Sequence, residues 1–203
     1  MKTIFILPLM LFSMSAYSKL ESSSAICLSL QTGKGFERLA YTLFSEKICG
    51  KYSKNLQIIY RHSEIKYPVS EFDRKRITDF LKSSQKVDVF FFGHTNNASF
   101  YFVNDFKDYL GEKVRLVYNS GCFDGDKWDA FRWQGYTKVY VGHPMDNYGT
   151  RYTPFFLKRW FKGLKIEHIV KLSNNRMNKE KYFEGGNDPY GYFYGDGSLS
   201  IND

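Results

Sequence analysis

The stretch Val87-Asp88-Val89-Phe90-Phe91-Phe92-Gly93-His94 decides the fold. Apart from Asp88 the run before Gly93 is β-branched or aromatic, and it is short. Such a run suits a strand buried on both faces, the state of a strand inside a parallel sheet. A parallel strand needs a crossover on each side, usually a helix. The flanking sequence should therefore alternate helix and strand.

Downstream it does so. Residues 106–110 form a helical stretch closed by Gly111. A strand follows over 114–118 and runs into Asn119-Ser120-Gly121-Cys122. Another spans 137–141 and ends at Gly142-His143-Pro144. Thr153 as cap and Pro154 at the first helical position open a helix through Lys162, which Gly163 ends. Residues 166–172 continue as helix, and 198–201 read as a last strand. Phe100-Tyr101-Phe102 reads as a strand or packed loop.

Upstream, residues 25–30 are a first strand and 37–48 a helix with Leu39, Leu43 and Phe44 at helical spacing. Residues 56–60 are a second strand. Ser70 caps a helix through Leu81, with Glu71 and Asp73 in its first turn. The expected fold is α/β: a three-layer sandwich with a mostly parallel central sheet flanked by helices.

The N-terminus stands apart. Lys2 precedes an apolar run from Ile4 to Phe12, and Ala16-Tyr17-Ser18 supplies small residues around a cleavage point. Residues 1–18 read as a signal peptide and 19–203 as a single domain. Export to a periplasm or outside the cell follows, with no transmembrane segment after cleavage. The chain is 43% hydrophobic and 19% aromatic, which excludes a disordered protein. Its formal net charge is +8, of which the signal segment holds only Lys2. The basic residues form no long run; Lys34, Arg38, Lys75, Arg76, Lys158, Arg159, Lys162 and Lys165 are scattered, mostly on predicted helices. We read them as a solvated surface and expect no nucleic-acid partner. No close-spaced set of metal ligands is present, so neither metal nor cofactor is expected.

Cys27, Cys49 and Cys122 make an odd number of thiols for an oxidising compartment. Cys27 and Cys49 are a candidate disulfide; Cys122 sits in a different context. In a parallel sheet, strand ends that precede crossovers lie on one edge, where ligands and catalytic groups gather. His94, Cys122 and His143 each follow a predicted strand, so topology brings all three to that edge. A histidine beside a thiol can take its proton and make it a nucleophile. Turn amides there would serve as an oxyanion hole.

These motifs carry a family resemblance. Phe92-Gly93-His94 after an apolar strand resembles the histidine motif of caspase-related cysteine peptidases, including gingipains, clostripain and CHAT-domain proteins. Ser120-Gly121-Cys122-Phe123-Asp124-Gly125 resembles their cysteine motif, commonly Ser-Ala-Cys-x-Thr-Gly in CHAT domains. The strand from Gly135 to Gly142, the helix from Phe155 to Gly163 and Tyr194-Gly195-Asp196-Gly197-Ser198-Leu199 are similar to later family segments. Thr95 stands where the family usually has glycine, and Gly197 where it has proline.

The resemblance implies a cysteine endopeptidase acting on a peptide or protein substrate. Cys122 would be the nucleophile and His94 its proton carrier. The backbone amides of Cys122 and Thr95 would form the oxyanion hole. Asp124 and Asp126 would favour a basic substrate side chain, and His143 is a further candidate substrate contact. Two other readings stand beside it: an inactive relative that binds a protein or cell-envelope partner, and a basic secreted protein that binds polyanions.

Overall fold

A computed structural model describes residues 23–30, 60–65, 69–92, 98–121, 127–143, 149–179 and 191–203. Among the described residues six strands form one sheet: β1 (Ser23–Leu30), β2 (Tyr60–Ile65), β3 (Lys86–Phe92), β4 (Val114–Asn119), β5 (Val139–Gly142) and β6 (Tyr192–Gly195). Their order is β2-β1-β3-β4-β5-β6. The first five are parallel, and β6 runs antiparallel to β5. The helices are α1 (Glu71–Ser83), α2 (Ala98–Phe106), α3 (Lys127–Arg132), α4 (Gly149–Trp160) and α5 (Ile166–Lys179).

Two cores sandwich the sheet, because neighbouring side chains of a strand point to opposite faces. Val87, Val89 and Phe91 of β3 join Val117 and Tyr140 on one face, under Ile77 and Phe80 of α1 and Phe102 and Phe106 of α2. Phe90 and Phe92 join Leu116, Tyr118, Val139 and Val141 on the other, under Phe156 and Trp160 of α4 and Ile169 of α5. The expected three-layer α/β sandwich is the observed one. From β2 the chain passes over β1 to β3 and moves on in the same direction through β4 to β5, and α1 and α2 lie on one face. A single crossover handedness requires that arrangement.

Ser70 caps α1: its hydroxyl oxygen accepts the Asp73 N–H at 3.1 Å. β3 is buried from Val87 onward and β4 along its whole length. The buried charged residues within them, Asp88 and Arg115, pair with each other. Arg115 Nε and Nη2 donate to Asp88 at 3.1 and 2.8 Å, and Nη1 donates to the Ile201 carbonyl at 3.1 Å. This fork sits near the N-terminal ends of β3 and β4. It ties the C-terminal segment beneath the sheet.

The expected second strand, 56–60, lies outside the described residues except for Tyr60, the first described residue of β2. Among the described residues β2 pairs only with β1, so an edge strand with Arg61, His62 and Glu64 needs no continuous apolar run. Three expectations need correction. Phe100-Tyr101-Phe102 is helix, not strand: Phe102, Val103 and Phe106 all face the core at helical spacing. α4 starts at Gly149, which makes Thr153 and Pro154 interior positions rather than its cap and first turn. The Thr153 hydroxyl is instead buried against Tyr118, 2.7 Å from the phenol oxygen. The last strand is Tyr192–Gly195, whereas 198–201 form turns held by Asp196 and Asp203. The predicted helix over 37–48 lies outside the described residues.

Candidate active site

The parallel strands deliver the chain to one edge. β3 ends there at Phe92, β4 at Asn119 and β5 at Gly142. β3 and β4 are paired neighbours with Phe91 opposite Asn119. The Ser120 N–H then donates to the Phe91 carbonyl at 3.0 Å, which carries the ladder one residue further. His94, Thr95, Cys122, Asp124 and Asp126 all lie outside the described residues, as does Cys49. Cys27 lies in β1, with its backbone opposite Arg61 on one side and Phe90 on the other.

The described residues leading into Cys122 are tightly held. Asn119 is 1% exposed. Its Oδ1 accepts the Gly121 N–H at 3.0 Å, and its Nδ2 donates to the Tyr140 hydroxyl at 3.2 Å. An asparagine that bonds the amide two residues on makes a turn without needing another strand. Both ends of the amide are therefore used, as burial demands. The Gly121 N–H is committed to this bond. Sequence reasoning missed Asn119 and Tyr140. The available signal was an asparagine two residues before a glycine at the end of an apolar strand.

His143 is fully buried, beneath the edge rather than on it. Its ring meets Tyr152 edge-on at 4.6 Å and Tyr118 at 6.1 Å between centroids. Tyr118 in turn stacks on Phe156 at 4.6 Å. In this structure His143 joins β5 to α4 by packing. Burial above all, with nearby Tyr118, pushes the Tyr152 hydroxyl well above the usual phenol range, so it stays neutral. Asn174 of α5 closes this corner. Its side-chain amide exchanges two 3.0 Å bonds with the Gly191 backbone, just before β6.

A separate groove of about 440 Å³ opens between α3 and the β5–β6 pair, lined by Phe131, Trp133, Lys138, Tyr140 and Tyr194 among others. Among the described residues no group of three or more His, Cys, Asp and Glu side chains converges as metal ligands would. No helix among them is long and apolar enough to cross a membrane.

No protein-family model matches the chain, and no curated protein matches it. Among solved structures it is similar to an inactive zymogen C11 protease from Parabacteroides distasonis. That match has 8% identity and a TM-score of 0.43, over 64% of this chain and 50% of that one. It is also similar to a secreted C11 cysteine protease from Bacteroides thetaiotaomicron, solved with an irreversible peptide inhibitor. There the identity is 8% and the TM-score 0.44, over 67% of this chain and 54% of that one. The chain spans about half the length of these two proteins.

Proposed function

We propose that this chain is an exported cysteine endopeptidase of the caspase–gingipain type, with Cys122 as nucleophile and His94 as proton carrier. The observation that carries the reading is the pairing of Phe91 with Asn119 in adjacent parallel strands. His94 and Cys122 are each the third residue beyond that pair. Cys122 is bonded directly to the buried Gly121, so their Cα atoms are about 3.8 Å apart. His94 follows Phe92 by two peptide units, a reach of at most about 7.6 Å. Neighbouring strands are roughly 4.8 Å apart, so a thiol and an imidazole leaving them in step can address one substrate carbonyl.

The chemistry follows from those two groups. The Cys122 thiolate adds to the peptide carbonyl, and the amides of Cys122 and Thr95 stabilise the oxyanion. Collapse breaks the C–N bond as His94 gives a proton to the leaving amine, which leaves a thioester on Cys122. His94 then takes a proton from water, whose oxygen attacks the thioester and frees the acid and the thiol. Asp124 and Asp126 give this edge an acidic character suited to a basic substrate side chain. Cys27 and Cys49 form the disulfide, which leaves Cys122 as the free thiol.

A peptidyl electrophile with a basic residue at its reactive end tests this. It should add to the mature protein once, at Cys122, and Cys122→Ala should abolish the adduct while His94→Ala slows it. Adduct formation retained in Cys122→Ala removes Cys122 as the nucleophile. An unlabelled but folded wild-type protein favours the inactive binding relative, for which Thr95 in place of glycine is the supporting feature.

A further inference from the structure

The sequence scatters its basic residues, but the fold collects their excess in one layer. The segment from Gly149 to Lys179, which makes up α4 and α5, holds eight of the chain's 29 Lys and Arg residues and one of its 21 acidic residues, Glu167. The rest of the chain is within one charge of neutrality. The buried face of α4 is Tyr152, Thr153, Phe156, Leu157 and Trp160, and that of α5 is Ile166, Ile169, Val170, Ser173 and Met177. The cations must therefore face outward. Lys158, Lys162, Lys165, Lys171 and Arg176 are exposed, and Arg159 is half-buried.

At the centre of this face the two helices share one aromatic ring. The Arg159 guanidinium lies 4.1 Å from the centre of Phe155, and that of Arg176 lies 3.8 Å from the same centre. Two like charges are held within two ring-contact distances of each other. Burial and the neighbouring Arg176 charge both push the Arg159 guanidinium below its usual range. Arg159 Nη1 also donates to the Phe155 carbonyl at 3.0 Å, and the planar N–H fork of a guanidinium is suited to phosphate. Phe155 precedes Arg159 by one helical turn, and Leu172, which is 42% exposed, precedes Arg176 by one turn. Apolar and cationic side chains thus alternate along one outward strip.

We propose that the outer face of α4 and α5 docks on an anionic phospholipid surface. The arginines and lysines take the headgroup phosphates, and Phe155 and Leu172 enter the headgroup–acyl boundary. The apolar members favour a bilayer over a nucleic acid, since a helical polyanion would meet the cations but has no place for Leu172. This role is independent of Cys122 and His94. It gives an exported protein a reason to stay at an envelope surface.

Vesicle co-sedimentation of the full chain tests it, with phosphatidylcholine vesicles containing or lacking phosphatidylglycerol. Binding should require phosphatidylglycerol and weaken as salt rises. Arg159→Gln with Arg176→Gln should lower the affinity about thirtyfold, at roughly fivefold per surface charge. Lys75→Gln with Arg76→Gln, which removes as much charge from α1 in the opposite layer, should leave binding unchanged. If the double arginine variant unfolds, Lys158→Gln with Lys162→Gln, both exposed, should show the same loss. Equal binding to neutral vesicles, an equal loss in the α1 variant, or tighter binding to single-stranded DNA than to anionic vesicles at the same salt would each overturn the proposal.

Discussion

The side chain of Asn119 accepts the backbone N–H of Gly121 at 3.0 Å, within the turn that leads to Cys122. Asn119 is in turn held by the Tyr140 hydroxyl from β5. Asn119→Ala would leave the buried Gly121 amide without its acceptor, at a cost of about 1–3 kcal/mol. Asn119→Asp keeps that acceptor. The alanine variant should therefore lose stability and react more slowly at Cys122 with a thiol electrophile, and the aspartate variant should recover much of the rate. Equal rates in all three proteins, measured at matched folded fractions, would show that this turn does not position the thiol.

The Arg115–Asp88 pair makes a different kind of prediction. Its side chains are 1% and 0% exposed, so removal of one partner strands a buried charge. Asp88→Asn or Arg115→Met should each cost about 3–5 kcal/mol in urea unfolding. The double change to Leu and Met should recover much of that loss. A single variant that loses less than about 1 kcal/mol would mean the pair is worth no more than one on the surface.

Gly195 sets how closely β6 lies beside β5. Its φ is +105°, and a Cβ there would run into the Lys138 carbonyl. Gly195→Ala should cost on the order of 1–3 kcal/mol through strain, with more from the clash. Hydrogen exchange should show β6 losing protection before β4. Unchanged protection in β6 would contradict the pairing of Gly195 with Val139.

Acid should loosen the turn after β6. The Ser198 hydroxyl and N–H both bond the Asp196 carboxylate, at 2.6 and 2.9 Å, and hold its pKa below the usual carboxylate range. A depressed folded-state pKa contributes stability that is complete above the unfolded value and is lost as pH falls through the folded one. Thermal midpoints should thus fall on acidification below the ordinary carboxylate range, and fall less in Asp196→Asn. Parallel curves for the two proteins would remove Asp196 from the acid response.

The strands that form the middle of the sheet are legible because burial on both faces leaves a mostly apolar run, as in β3 and β4. Where burial is one-sided the pattern weakens. Among the described residues β2 pairs only with β1, and it carries Arg61 and Glu64 where β3 and β4 are mostly apolar. Phe100-Tyr101-Phe102 carries strand propensity locally, but packing of Phe102 against Phe91, Phe106 and Trp133 draws it into α2. Thr153-Pro154 has the form of a helix start, yet Tyr118 binds the threonine hydroxyl inside α4.

At the candidate site, the ends of β3, β4 and β5 on one edge follow from topology alone. The Asn119–Tyr140 contact does not, since it joins two strands through side chains far apart in sequence. The same holds for Asp88 with Arg115, each of which reads as a lone charge in an apolar strand. The basic face of α4 and α5 emerges only when two helices pack side by side. Scattered lysines and arginines then become one surface.

A crystal structure that resolves both the Cys122 sulfur and the His94 ring is the most direct measurement. The expected result is an uncrosslinked, solvent-accessible sulfur with the imidazole beside it at the ends of β3 and β4, both open to one bound carbonyl. A sulfur joined to Cys27 or Cys49, or a His94 ring turned to the far side of the sheet, would contradict the proposed chemistry.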